Sequence, residues 1–505
     1  MTTLRHYSLG EPCPLSPHAV VSSLPTMADV CGYEEREARV LNALKSGYPR
    51  FVLHAFVAEI TAYFLEREHL IGRDGVLVPG ERAAQDLIYY CGRGVVVLPL
   101  DASLSLVHFD VADRVLAQRV RKFVQHTGYG ITSRQAEDLL VANGLRDTLH
   151  VEKIVSEGAQ VVVESELSAL IGCATRDLMI CASGMSAFYA GFRSVQALQS
   201  SRGRTQWLQL GWLYLDSGCV LEKFLNEGES LDHCYDVSDT EALIARIEAS
   251  GDALAGVVIE CPTNPIVQVG DLERIAEVVR RVGGAVIVDP TIASIYNVDV
   301  LPYADVLVTS LTKYASCEGD VMIGAIAFNV NSPYYQELMV SGARHCQAPY
   351  ARDLARLAYE LKRAPAVVAV MDRNARVLAE YLSEHPAVAK VHYAGFSERF
   401  ASVAKRSGAG GAMITIELNG DLASFYDVLE VMKGPSFGTE YTLVCPFMYL
   451  AHYDLVTSKQ GRVFLRSIGI EPDLIRISVG VEPAEAIIET FGRALARLEQ
   501  RVRSV

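Results

Sequence analysis

Several things are missing from this 505-residue chain, and each absence removes a class of protein. There is no CxxC pair, no HExxH and no tight His/Cys/Asp cluster, so no metal site is expected. Positive charge is scarce. With 46 Lys and Arg against 60 Asp and Glu the net charge is −14, which argues against a nucleic-acid partner, because neutralising phosphates needs a basic face. No uncharged apolar run approaches the ~18 residues of a membrane-crossing helix, so no membrane partner is expected. The start, MTTLRHYSLGEPCPLSPHAV, has no basic stretch leading into an apolar core and does not read as a secretory leader. The 11 cysteines are odd in number and dispersed, which reads as reduced, buried thiols in a cytoplasmic protein. There is no internal repeat, low-complexity stretch or like-charge tail.

What is present is a globular composition, 50% hydrophobic and 21% charged. The first ~35 residues are rich in Pro and Ser and read as an extended arm. Helical spacing begins at YEEREARVLNALKSG, with Gly47-Tyr48-Pro49 as its stop, and recurs in FVLHAFVAEITAYFLEREHL and VADRVLAQRVRKFVQHTG. RGVVVLPL and LSLVHFDV read as short strands between them. Beyond Ala136, apolar β-branched runs alternate with helices. DLMICAS, TQWLQLG, AGVVIECP, GAVIVDP, ADVLVTSLTK and VMIGAIAFN are strands. This alternation predicts a mostly parallel sheet covered on both faces, with ligands at the carboxyl ends of its strands. One long helix is expected from about Pro349 to Leu382. A smaller α/β unit follows, with GGAMITIELNG and LIRISVGVE as strands.

The residues that carry chemistry fall at those carboxyl ends. Ser183, Gly184 and Met185 sit between a strand and a helix, where free N–H groups can receive an anion. Asp289 ends the strand GAVIVD; a carboxylate buried there needs a cationic partner. Lys313 follows the next strand, flanked by the hydroxyls of Ser310 and Thr312. Alone, such a lysine is ordinarily a solvated charge. In the order phosphate turn, Tyr214, ECPTNP, Asp289, SxTK, it completes the parts list of a pyridoxal 5'-phosphate (PLP) site. That cofactor needs a phosphate cup, a stacking aromatic, an acid for the ring nitrogen and an amine for the aldehyde.

These motifs, SGM, ECPTNPI, VDPTIAS, SLTKY and RISVGVE, resemble in order and spacing those of the Cys/Met-metabolism group of fold-type-I PLP enzymes. Further segments (PHAVVSSLPTMADVCGYEE, QHTGYGITSR, YLDSGCVLEKF and GPSFGTEYTLVCPFMYLAHYD) are similar to the longer, fungal-type cystathionine γ-synthases. The resemblance implies an α/β, fold-type-I transferase with a seven-stranded type of sheet. It implies an arm and extension over 1–135, a PLP-binding domain over 136–365 and a small domain over 366–505. It implies that Lys313 holds the cofactor and shuttles protons, that Asp289 meets the ring nitrogen and that Tyr214 stacks on the ring. Ser183, Gly184, Met185, Ser310 and Thr312 would cradle the phosphate, with Arg134 reaching the phosphate of a neighbouring subunit. Arg476 would clamp the substrate carboxylate, with Ser436 and Asn264 touching substrate or cofactor oxygen. The implied partners are an amino-acid substrate and other copies of this chain, as a dimer or tetramer.

The implied reaction is γ-replacement or γ-elimination on a Cγ-activated amino acid, such as an O-acyl-L-homoserine with cysteine. Other γ-leaving groups, those of canavanine or S-adenosylmethionine, define an alternative. A catalytically silent scaffold of the same fold is the non-enzyme alternative. Two departures stand out. The family's Tyr-x-Arg loop reads Thr132-Ser133-Arg134 here, with Tyr129 near enough in sequence to stand in for the tyrosine. ASCEGD follows the lysine loop, which places Glu318 and Asp320 either near the reacting groups or in solvent. Trp212 and the GYPRF turn read as packing and structure. Cys181, Cys261 and Cys317 read as small buried hydrophobes.

Overall fold

The computed structural model describes residues 4–45 and 52–502; the expected stop at Gly47-Tyr48-Pro49 and the GYPRF turn lie outside them. Its centre is a seven-stranded sheet. The strands lie in the order Leu178–Cys181, Gly324–Phe328, Val306–Ser310, Ala285–Asp289, Leu254–Glu260, Gln206–Leu210 and Ser230–Cys234. All pairings are parallel except the two made by Gly324–Phe328, which runs against both neighbours. Both faces are covered. In Ala285–Asp289, Val286 and Val288 enter the apolar core on one face while Ala285 and Ile287 enter the core on the other. Such two-sided burial explains why these strands are continuous apolar runs rather than alternating ones. Helix Gly184–Ser200 lies under the sheet, and the amphipathic helix Leu272–Val282 covers the opposite face.

A five-stranded sheet, in the order Val388–Tyr393, Met413–Leu418, Ile475–Ser478, Leu443–Cys445, Met432–Lys433, forms the smaller C-terminal unit. The single long helix expected ahead of it is two, Ala351–Leu361 and Ala364–Glu384. The break falls at Lys362-Arg363, just before Pro365, whose missing N–H suits the first turn of a new helix rather than the interior of an old one.

The N-terminal part is more structured than an extended arm. Residues Pro12–Cys13 pair with Val21–Ser22, and a helix spans Met27–Glu34 with a Thr26–Asp29 capping box. Strands Arg73–Pro79, Val96–Pro99 and Leu104–Asp110 form their own antiparallel sheet. Helix Arg114–Thr127 inserts Val120 and Phe123 into the same core as Met185 and Phe188 of the central domain. No helix among the described residues is long and apolar enough to cross a membrane.

Candidate active site

Three adjacent strands of the central sheet, and a fourth one strand further on, lead to one place. Leu254–Glu260 delivers Glu260, Ala285–Asp289 delivers Asp289, Val306–Ser310 delivers Ser310 and then Lys313, and Leu178–Cys181 leads into Ser183. Together with Gly184, Met185, Tyr214 and Asn264 these residues line a pocket of about 570 Å³. A second chamber of about 480 Å³ adjoins it, with Tyr214, Lys313 and Phe437 lining both. Lys313 thus stands on a shared wall, facing the strand ends on one side and Arg476 with Ser436 on the other.

Each end of the first pocket has its own chemistry. At one end, Ser183 caps helix Gly184–Ser200, its hydroxyl accepting from Ser186 N at 3.0 Å. A Cβ on Gly184 would stand 2.6 Å from Ser310 Cβ, so only glycine brings this turn against the Ser310 strand. The free N–H groups of the helix N-terminus and the Ser310 hydroxyl make an anion cup. At the other end, Asp289 accepts from Thr291 N at 2.8 Å and from the Thr291 hydroxyl. Burial pushes its carboxyl up to about 6 from an ordinary 3.8. Glu260, its register partner on the next strand, is also raised well above its ordinary value, by burial first and then by Asp289. Two buried carboxyls side by side cannot both stay ionised without a cation between or beside them.

Lys313 is 7% exposed, and its Nζ donates to Ser436 Oγ at 3.0 Å. Ser436 has φ +97, a region that non-glycine residues enter only when surroundings force it. Its carbonyl accepts from Arg476 Nη2 at 2.9 Å, so one strained residue spaces the lysine and the arginine. The other Arg476 branch, Nη1, donates to Asn264 Oδ1 at 3.1 Å. The guanidinium lies over the rings of Phe437 and Phe447, at 5.0 and 4.6 Å, which fixes its plane. Tyr214 caps helix Leu215–Lys223, and its N–H donates to Glu260 Oε1 at 2.6 Å.

Thr312 stands apart from this assembly. It is buried, its hydroxyl accepts from Ile323 N at 3.3 Å, and it does not line the pocket. Arg134 is placed elsewhere too. Fully buried in its own chain, it pairs with Glu152 at 2.7 Å, Asp353 at 3.0 Å and Asp320 at 3.3 Å. Burial works against its charge, but the Glu152 hydrogen bonds and the charges of Asp353 and Asp320 outweigh that and raise its pKa. Within its own chain the Arg134 guanidinium is thus surrounded by three carboxylates. Thr132, where the family has tyrosine, caps helix Ser133–Ala142 through Gln135 N. Tyr129 is no substitute: it is buried, with its hydroxyl donating to His345 O at 2.8 Å. Glu318 and Asp320 pair with Arg356 at 2.6 and 3.1 Å, so neither is a free acid beside Lys313.

Glu260, Thr291, Ser217 and Phe437 line the pocket and were not expected there as functional residues. Glu260 opens ECPTNP and Thr291 lies in VDPTIAS, so motif position carried a signal for both. Ser217 and Phe437 lie in YLDSGCVLEKF and GPSFGTEYTLVCPFMYLAHYD, segments that carried a family likeness but no role for either of these two residues.

The pocket fits PLP on its own polar inventory. Asn264 Nδ2 and Glu260 Oε2, both on its lining, are buried without a hydrogen-bond partner, which is costly unless a bound group supplies one. The anion cup, the paired carboxyls and the lysine are the three polar ends such a group requires. The sequence model for Cys/Met metabolism PLP-dependent enzymes matches residues 111–496. The chain belongs to the Cys/Met metabolism PLP-dependent enzymes.

Its cofactor is therefore PLP, and its fold is fold type I. The chain is 37% identical to an L-2-amino-4-chloropent-4-enoate dechlorinase/desaturase of Streptantibioticus cattleyicolor, over 95% of this chain and 97% of that protein. It is 27% identical to the cystathionine gamma-synthase of Neurospora crassa, over 98% and 99%. Among solved structures, cystathionine gamma synthase from Xanthomonas oryzae pv. oryzae, in complex with aminoacrylate and cysteine, is similar. It has a TM-score of 0.56 and 25% identity, covering 66% of this chain and 84% of that one. The family is one of PLP-dependent enzymes, and the two relatives just named are a dechlorinase/desaturase and a cystathionine gamma-synthase, which the catalytically silent alternative does not fit.

Proposed function

We propose that this PLP enzyme removes the γ-substituent of a Cγ-activated L-amino acid, by γ-elimination or γ-replacement. The observation that carries the reading is the position of Lys313 on the wall shared by the two chambers, with Arg476 and Ser436 in the second. When bound, PLP supplies an electron sink for negative charge at Cα and Cβ. The chain supplies the rest. Arg476, already oriented by Asn264 and Ser436, holds the α-carboxylate by two parallel bonds. Asp289 as a carboxylate would face the ring nitrogen, whose positive charge would lower its raised proton affinity. Lys313 Nζ takes the Cα proton, serves Cβ in turn and returns a proton to the departing group. Ser436 Oγ holds the amine between these positions. Phe437, Phe447 and Leu450 make the walls apolar and keep water from the reacting carbons.

Two endings follow from one bond-breaking step. Addition of cysteine thiolate after loss of an O-acyl group gives cystathionine; water gives 2-oxobutanoate and ammonia. A specialised γ-lyase is the second reading, supported by the 37% identical relative, whose name describes loss of chlorine with desaturation. The discriminating experiment is a panel of O-acetyl- and O-succinyl-L-homoserine, a γ-chloro amino acid, canavanine and S-adenosylmethionine, each with and without cysteine, read by mass spectrometry. Loss of the γ-substituent from at least one member is expected. Products retaining every γ-substituent would overturn the proposal.

A further inference from the structure

A third cavity, of about 860 Å³, lies beyond the substrate chamber and shares Tyr214, Leu215 and Ala451 with it. Its walls differ from those of the chamber. Trp212, expected only to pack, faces it; its indole N–H donates to His452 Nε2 at 3.1 Å, which locks both rings. Tyr235 lies 5.5 Å from Trp212, stacks on His233 at 5.6 Å and meets Phe464 edge-on at 5.9 Å. These aromatic surfaces belong to Trp212, Tyr235 and Phe464 on three different segments, so the box is assembled by the tertiary fold.

The charge at this box has one sign. Glu222 and Asp454 line it, no lysine or arginine does, and neither acid has an ion-pair partner among the described residues. Lys223, next to Glu222 in the chain, turns its Nζ to His126 Nε2 at 3.1 Å and to the sulfur of Cys219. His452 adds no positive charge: burial pushes its imidazole down to about 4, so it is neutral and accepts from Trp212. The substrate chamber has the opposite polarity, with Lys313 and Arg476 as its only charged lining among the described residues. An amino acid held by its α-carboxylate at Arg476 therefore extends from a positive chamber toward an aromatic, negative one.

We propose that this box is a subsite for a cationic group at the far end of the γ-substituent, a guanidinium or an onium ion held by aromatic faces and by Glu222 and Asp454. It rests on the γ-chemistry proposed above and narrows its substrate class to γ-substituents that end in a cation.

L-arginine and L-citrulline test it without turnover, since neither carries a γ-leaving group and only arginine is charged at its end. Binding to the holoenzyme is measured by calorimetry. Fluorescence of a Trp207→Phe variant gives a second reading, because it leaves Trp212 as the sole one of two tryptophans. Arginine is expected to bind about tenfold or more tighter than citrulline and to change Trp212 emission. In Glu222→Gln/Asp454→Asn the preference is expected to fall to within about twofold. Equal affinities in the unaltered enzyme, or a preference that survives both substitutions, would overturn the proposal. Turnover of the γ-substituted panel without arginine preference would overturn the box alone. Arginine preference with no turnover of any panel member would support the box and overturn the γ-chemistry.

Discussion

Lys313 is buried beside a backbone that leaves it no room to move aside. Gly438, at φ +75, would place a Cβ 2.9 Å from the Lys313 carbonyl carbon, so the loop carrying Ser436 is pressed against the lysine. Lys313→Ala is expected to abolish both turnover and the visible absorption of the holoenzyme; full turnover in that variant would contradict the assignment. Arg476→Ala removes a charge-assisted pair of bonds to the substrate. That should cost about 2–4 kcal/mol, roughly 30- to 700-fold in KM, with the cofactor's absorption retained. Loss of the absorption instead would make Arg476 a structural residue. Asp289 gives a pH dependence whose sign is fixed. In the cofactor-free chain its proton is still bound near pH 5, where an unfolded aspartate has lost it. Stability of the apo protein therefore falls as pH rises from about 4 to 6 and stays lower above. Asp289→Asn should flatten that decline in thermal melts from pH 4 to 8 and weaken cofactor retention; parallel melting profiles would count against it. Reading residue types in order was enough to point at Lys313 and Asp289, because each needs a neighbour of opposite character that the motifs supply; Arg476 came only from the likeness of RISVGVE to the family. It did not foresee that Glu152, Asp320 and Asp353 converge on the Arg134 guanidinium within one chain, because no spacing rule reveals that meeting.

Elements were legible where one period ruled. The buried strands of the central sheet appear as apolar runs, and every strand expected there from 178 to 328 is found. Ser230–Cys234 was not expected: it is an edge strand, SLDHC, polar and half-exposed, with no apolar run to announce it. The N-terminal arm was read as extended because proline and serine hide its contacts. In the fold, Val20 N donates to Gly319 O at 2.8 Å, Leu24 N to Lys433 O at 3.0 Å, and Tyr441 OH to Cys13 O at 2.8 Å. The arm thus ties the loop after Lys313 to the strands on either side of Ser436. Deleting residues 1–24 should lower kcat several-fold while the holoenzyme keeps its visible absorption. An unchanged kcat would show that the arm has no part in holding the site. The extension beyond the arm reaches the site from another side. His126 Nδ1 meets Asp216 at 2.9 Å, and Asp216 lies on the helix that begins after Tyr214.

At the scale of the whole molecule, two sheets and an extension meet around one lysine, and the chemistry depends on that meeting. The central sheet brings the cofactor's ends, while the C-terminal unit brings Arg476 and the loop with Ser436. Subunit sharing of the site through Arg134 is an expectation of the family likeness; within its own chain that guanidinium pairs with Glu152 and Asp353. An oligomer remains an expectation of the family likeness, to be read from activity across a dilution series; a fully active monomer would contradict it. The central claim is that Lys313 alone serves both Cα and Cβ, since Thr132 is a helix cap and cannot act as an acid or base. A substrate analogue with a poor γ-substituent, incubated with the holoenzyme in deuterated water and followed by NMR, tests it most directly. Exchange at both Cα and Cβ, abolished in Lys313→Ala, is the predicted result. Exchange at Cα alone, with a good γ-substituted substrate yielding neither 2-oxobutanoate nor any γ-elimination or γ-replacement product, would contradict it.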